Sequence, residues 1–249
     1  MDANKLLVAI CSCQANRTTK QRAVQDTWIK DLERLKVNYT FFEGSEEAKA
    51  SVRVVHEDKH RLILPCGDDY YNLRDKTRQL CRWFVRMGSN RRYAYLFKCD
   101  DDTYVQVERL LQFDIGTFEY AGRMINSGYA AGGAYMLSKK AIGIVDDLMR
   151  PKNIAAYMAR GSWGNNEDEA VGNLLRECGI ELKNSHLFHH GNDGRPTPKN
   201  DSITGHHIQP EYMRRIWEEF NPSPPTPCPP QTDSSPESPH QIPGSDLQP

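Results

Sequence analysis

Along most of this chain, short apolar runs alternate with stretches whose apolar residues recur every three or four positions. Leu6–Cys11 (LLVAIC) is an unbroken apolar run of strand length. Thr18–Leu35 carries Ala23, Val24, Trp28, Leu32 and Leu35 at helical spacing, with Thr18 or Thr19 as cap. Val37–Phe42, closed by Gly44, and Arg61–Leu64 predict two more strands. Asn72–Met87 predicts a helix, with Leu73, Leu80, Trp83, Phe84 and Met87 on its apolar face and Asn72 as N-cap. Tyr93–Cys99 (YAYLFKC) reads as a buried strand, and Val105–Phe113 as a short helix. Phe118–Ala121 and Tyr129–Leu137 follow as strands, then a helix Ser138–Met149 capped by Ser138. Glu167–Cys178 is a helix ended by Gly179, Ile203–Ile208 a late strand, and a last helix opens at Pro210. Such alternation predicts an α/β domain, with a mostly parallel sheet between helices.

The pattern stops near Phe220, and composition explains why. Ten of the fifteen prolines lie from Pro222 onward, among Ser, Thr, Gln and Asp. A segment like this buries too little apolar surface to offset its ordering entropy, so residues 221–249 are expected to be a disordered tail after a domain spanning 1–220. The whole chain has 249 residues and a net charge of −1, with both signs interspersed, which excludes a nucleic-acid footprint. No apolar stretch approaches the roughly 18 residues of a membrane span. Met1-Asp2 is acidic and Leu6–Cys11 is short for a secretory core, so the chain reads as cytoplasmic, or as a secretory-pathway protein if it is a trimmed piece. Seven cysteines without a CxxC pair fit reduced thiols better than a zinc site.

Three features carry chemistry. Asp100, Asp101 and Asp102 lie directly after the apolar run Tyr93–Cys99, at a strand's C-terminal end, where open α/β sheets bind ligands. Adjacent carboxylates resist joint ionisation, and a hard cation such as Mg²⁺ or Mn²⁺ relieves that by taking one or two of them together with substrate phosphate. Taken alone, the triplet is equally an acidic turn. Ala130–Ala134 places five small residues, Gly132 and Gly133 among them, inside a strand pattern, which marks either close approach of a ligand or backbone, or a β-bulge. Trp163–Gly172 (WGNNEDEAVG) puts Glu167 and Asp168 at a helix start, where acids favour the macrodipole and where Asp168 is placed to act as a general base. Among the histidines, His186, His189 and His190 share one loop. In the late strand His206 and His207 are neighbours, so at most one is expected to face the active edge. Neither GxxxxGK[ST] nor GxGxxG occurs, so a bound nucleotide must have its phosphates neutralised by metal.

The order of motifs then resembles a known family. Thr27-Trp28, Asp69–Thr77 (DYYNLRDKT), Lys98–Asp102 (KCDDD), Ala131–Ser138 (AGGAYMLS) and Glu167-Asp168 are similar to the series found in the β-1,3-glycosyltransferases of glycosyltransferase family 31. These include the β-1,3-galactosyltransferases, the core 1 galactosyltransferase and the Fringe-type N-acetylglucosaminyltransferases, and the likeness spans roughly residues 5–215. The resemblance implies a GT-A fold, a UDP-sugar donor, Mn²⁺ (or Mg²⁺), a glycan or glycoconjugate acceptor and inversion at the anomeric carbon. By position it makes Asp102 and His206 the metal ligands and Asp168 the catalytic base. Asp100, Asp101, Lys76, Gly132, Gly133 and Glu167 fall around the donor. The expected activity is β-1,3 transfer, galactosyl first and N-acetylglucosaminyl second. A metal-dependent hydrolase and a non-catalytic sugar-binding module are the rival readings.

Overall fold

The computed structural model describes residues 1–52, 54–88, 93–114, 116, 118–125, 128–150, 153, 166–191 and 201–222. The expected tail lies outside them from residue 223 onward. The first apolar run is strand β1 (Leu6–Cys11), flanked on one side by β2 (Asn38–Gly44) and on the other by β5 (Tyr95–Asp100), both parallel to it. Beyond β2 come β4 (Arg61–Leu64) and, antiparallel at the edge, β3 (Val55–Asp58). Beyond β5 come β8 (Ala130–Ser138) and β7 (Tyr120–Met124), both antiparallel to their neighbours, and then β9 (Leu182–Asn184), parallel to β7. The eight-stranded order is β3-β4-β2-β1-β5-β8-β7-β9, with four of the seven pairings parallel. The chain leaves β1 toward β2 and later returns to β1's other side as β5. That reversal opens a crevice at the C-terminal ends of β1 and β5, where such sheets take their ligands.

Both faces of the sheet are covered, which is why β1 reads as a continuous apolar run. Leu6, Val8 and Ile10 point into one core with Trp28, Phe97, Phe113 and Phe188, under α1 (Lys20–Asp26), α2 (Ile29–Arg34), α5 (Val107–Gln112) and α8 (Pro210–Phe220). Leu7, Ala9 and Cys11 point into the other, with Leu80, Trp83 and Phe84 of α4 (Leu73–Gly88), Ile142 and Val145 of α6 (Lys139–Leu148), and Val171 and Leu175 of α7 (Glu167–Glu177).

Several expectations need correction. Thr18–Leu35 is two helices, because the Thr27 hydroxyl donates back to the Ala23 carbonyl at 2.7 Å and the chain turns there, seating the fully buried Trp28. The cap of α4 is Asp69 rather than Asn72: a 3₁₀ turn, Tyr70–Asn72, precedes the helix, and the Asp69 carboxylate accepts the Asn72 N–H at 3.1 Å. Ser138 does cap α6, accepting the Ala141 N–H. The late strand shrinks to β10 (Thr204–Gly205), paired antiparallel with β6 (Tyr104–Val105) outside the main sheet. Helix α3 (Glu46–Ser51), β3 and β9 carry too few apolar residues to have shown in the pattern.

The larger aromatic core makes one test direct. Phe97, fully buried with its ring 6.2 Å from that of Phe188, leaves a cavity when truncated. Phe97→Ala should cost roughly 3–5 kcal/mol, read as a lower urea midpoint with an unchanged slope.

Candidate active site

A cavity of about 520 Å³ fills the crevice beyond β1 and β5. Its walls include Ser12, Lys20, Lys76, Asp100, Asp101, Asp102, Gly132, Gly133, Glu167, Asp168 and His206, so the nine residues that the resemblance assigns to metal, base or donor all line one site, while His186 and His189 do not. The three aspartates do different things. Asp101 turns toward the first loop, accepting from Ser12 Oγ at 2.6 Å and Asn16 Nδ2 at 2.8 Å. Burial raises its pKa against those two donors. Asp100 takes the ammonium of Lys98 at 2.7 Å, and Asp102 takes that of Lys20 at 2.9 Å.

His206 reaches this acidic corner from a distant part of the sequence. The β10–β6 pairing sets Thr204 opposite Val105 and Gly205 opposite Tyr104, and the Ile208 N–H donates to the Asp102 carbonyl at 2.9 Å. Its Nε2 then lies 3.1 Å from Asp102 Oδ1 and 3.6 Å from Asp100 Oδ2. Burial alone would lower the imidazole pKa, but the hydrogen bonds and charges of Asp100 and Asp102 outweigh it and raise it to about 9. The same contact, with Lys20, overcomes burial and holds Asp102 well below the usual carboxylate range. Asp102 Oδ1 is nevertheless buried without a well-formed hydrogen bond.

That oxygen is a test of metal fit, and the residues pass it. Asp100, Asp102 and His206 each offer a ligand atom within 4.8 Å of the others. Neighbouring ligands of one octahedral ion with bonds of about 2.1 Å lie about 3.0 Å apart, close to the Asp102–His206 separation. A buried oxygen without a well-formed hydrogen bond is what such an ion would satisfy.

The small-residue stretch of β8 makes the arrangement possible. Opposite it, the β7 register shifts between Gly122 and Met124, so backbone groups of β8 are left for side chains. The Gly132 N–H donates to Asp168 Oδ2 at 2.9 Å, while the Gly132 carbonyl accepts from Lys98 at 2.7 Å and the Gly133 carbonyl from Thr103 Oγ1 at 2.8 Å. A Cβ on Gly133 would meet the His206 ring at 2.4 Å, and one on Gly132 would sit 3.2 Å from the Asp168 carboxylate. The bulge and the close approach, alternatives from sequence, are both present. One strand position faces the carboxylate at the start of α7, and the next faces the histidine.

Glu167 is buried and occupied by protein: it accepts from Thr77 Oγ1 at 2.8 Å and from the Tyr135 hydroxyl, and lies 3.6 Å from Lys98. Burial raises its pKa, with Lys98 and Tyr135 opposing. Lys76 is likewise engaged, donating to the Ser12 carbonyl at 2.7 Å and to Asp68 at 2.9 Å, and Asp68 in turn accepts the Gly44 N–H at 2.7 Å. Both residues set the walls in place. Sequence reading passed over Lys20, Ser12 and Asn16, and it named Lys98 and His190 without giving either a role. For Lys98 a signal existed: it is the only charge in the run Tyr93–Cys99, and a lysine buried in a strand requires anions nearby. The expectation that only one of His206 and His207 faces the site fails. His207 has φ 61°, so it leaves the strand's alternation, and its ring stacks on His206 with centroids 3.8 Å apart.

A Fringe-like family model matches residues 1–122. Beta-1,3-galactosyltransferase 1 of Mus musculus and of Homo sapiens are each 23% identical over 242 residues, covering 86% of this chain and 74% of the relative. Among solved structures, a glycosyltransferase involved in glycosylation of the major capsid of PBCV-1 superposes with a TM-score of 0.51 at 13% identity, covering 84% of this chain and 98% of its own. These likenesses support a β-1,3-glycosyltransferase family assignment for the chain. Its sheet is that of the GT-A glycosyltransferases, and the likenesses support glycosyltransferase activity of the Fringe and β-1,3-galactosyltransferase kind. Among the described residues, no helix is long and apolar enough to cross a membrane.

Two predictions follow from the glycine and the histidine. Gly133→Ala should push His206 off the acidic corner and weaken Mn²⁺ binding roughly ten- to hundredfold, measured by titration calorimetry. Below a pH of about 9 the metal-free His206 is protonated. A cation taking its Nε2 must therefore expel a proton, so Mn²⁺ affinity should fall by about tenfold per unit as the pH is lowered from 9, checked by calorimetry across pH.

Proposed function

We propose that this chain transfers a sugar from a UDP-sugar to a hydroxyl of a glycan or glycoconjugate, with inversion at the anomeric carbon and formation of a β-1,3 linkage. Galactose is the first choice of donor sugar, in keeping with the galactosyltransferase relatives. N-acetylglucosamine is the second, favoured by the Fringe-like match. The observation that supports the reading best is the adjacency of Gly132 and Gly133: one peptide unit separates the contact to Asp168 from the contact to His206. A carboxylate base and a cation corner face one cavity across that unit.

In this reading Asp168 takes the proton of the attacking hydroxyl. Its carboxylate is aimed by two backbone donors, Gly132 N–H on Oδ2 and Glu169 N–H on Oδ1, each at 2.9 Å. Each oxygen keeps a second lone pair for the acceptor. Asp102 and His206, with Asp100 beside them, would hold the divalent ion, Mn²⁺ or Mg²⁺. That ion supplies Lewis-acid neutralisation of the charge on the leaving diphosphate. A leaving group stabilised in this way needs no proton, so one carboxylate suffices where a glycoside hydrolase uses two. Lys98 keeps Asp100 and Glu167 in register on either side of Gly132. Gly132 and Gly133 form the floor against which donor and acceptor meet, and Asp100 and Asp101 border the donor. Such substrates favour the Golgi lumen over the cytoplasm as the setting.

Asp168→Asn should lower transfer by roughly 10²–10⁴-fold, the usual contribution of a positioned general base, while Mn²⁺-dependent UDP binding stays near normal. Loss of UDP binding in a folded Asp168→Asn protein would count against the assigned role. UDP release measured with and without sugar acceptors separates transfer from hydrolysis: release that no acceptor accelerates would favour the hydrolase.

A further inference from the structure

We propose that His190, His206 and His207 form a second cation site, suited to soft, imidazole-seeking ions such as Zn²⁺, and that filling it shuts the acidic corner. Three observations carry this. The first is placement. A parallel bridge pairs Phe188 with Thr204, and the Ile203 N–H donates to the Leu187 carbonyl at 2.7 Å. Two residues further along each segment, the same register sets His190 beside His206, with their Nδ1 atoms 3.3 Å apart. His207, turned back by its left-handed backbone, stacks on His206 and closes the group, its ring centroid 5.7 Å from that of His190.

The second observation is donor chemistry. One ligand atom from each of the three imidazoles lies within 4.8 Å of the others, and no carboxylate belongs to the group. The neighbouring triplet of Asp100, Asp102 and His206 has two carboxylates. Imidazole sets suit Zn²⁺, Cu²⁺ and Ni²⁺, whereas carboxylate sets suit Mg²⁺ and Mn²⁺. Tetrahedral Zn²⁺ with nitrogens at about 2.0–2.1 Å sets them about 3.3–3.4 Å apart, the spacing His190 and His206 already have. Three protein nitrogens leave a fourth position for water from the cavity.

The third observation is that the two sites share one ring. His206 turns Nε2 to Asp102 and Asp100 and Nδ1 to His190. A neutral imidazole has a single ring-nitrogen lone pair. An ion on Nδ1 therefore leaves the proton on Nε2, pointing at Asp102, and the acidic corner loses a ligand. A soft ion thus acts as a brake on a transferase that runs on a hard one. The histidine site stands on its own residues, while the antagonism rests on the metal assignment of Asp102 and His206 proposed above.

The test uses the full chain freed of metal, with Co²⁺ as a visible-absorbing probe, Zn²⁺ as competitor, and bound Mn²⁺ read by electron paramagnetic resonance. Wild type should show the bands of nitrogen-bound Co²⁺, discharged by Zn²⁺, and Zn²⁺ should release bound Mn²⁺. His190→Ala and, as the milder exposed change, His207→Ala should weaken Zn²⁺ binding by roughly tenfold or more while each still binds Mn²⁺. Thermal melting confirms that both variants are folded. Zn²⁺ binding indifferent to both histidine variants overturns the histidine site. Wild type holding one Mn²⁺ and one Zn²⁺ together overturns the antagonism. Mn²⁺ binding indifferent to Asp102→Asn overturns the acidic-corner assignment, and the antagonism with it.

Discussion

One buried ammonium holds the site together. Lys98 is only 3% exposed, yet its Nζ touches Asp100, the Gly132 carbonyl and Glu167. A cation at that depth is tolerated only with anions around it, and the seven carboxylates lining one cavity are tolerated only with cations among them. Burial would lower the lysine pKa, but Asp100 and Glu167 outweigh it and hold Lys98 well above the ordinary lysine value. The fold thus uses one charge to fix the end of β5, the middle of β8 and the start of α7 in a single arrangement.

Around that centre, each further group has a partner that decides its task. Asp101 is committed to Ser12 and Asn16, Glu167 to Thr77 and Tyr135, and Lys76 to Asp68 and the Ser12 carbonyl. These groups build walls. Asp102, whose Oδ1 lacks a well-formed hydrogen bond, and Asp168 line the cavity, and there the chemistry has room. A break in the β7–β8 ladder frees the backbone of Gly132 and Gly133, and the missing side chains let the base and the histidine close in on adjacent residues.

The strands and long helices were legible because burial on both faces leaves continuous apolar runs, and burial on one leaves a 3.6-residue period. Leu6–Cys11 was read to the residue, and Asn72–Met87 within one residue at each end. The break at Thr27 was not legible, since a hydroxyl bonding back to its own helix changes no apolar spacing. Short edge elements such as β9 and α3 escaped for want of buried residues. His207 was misjudged because strand alternation was assumed where the backbone turns left-handed.

The sequence by itself determined the α/β class, the resemblance to the β-1,3-glycosyltransferases and the identity of the acids and glycines, because residue types and their order along the chain record those directly. Only the tertiary structure decided which acid does what. Asp100, Asp101 and Asp102 are alike as letters, and they differ through Lys98, two residues back on the same strand, and through Ser12 and His206, which come from distant parts of the chain. Charge and hydrogen bonding act over a few ångströms of space, and a chain that brings residue 206 to residue 102 sets those distances by folding alone.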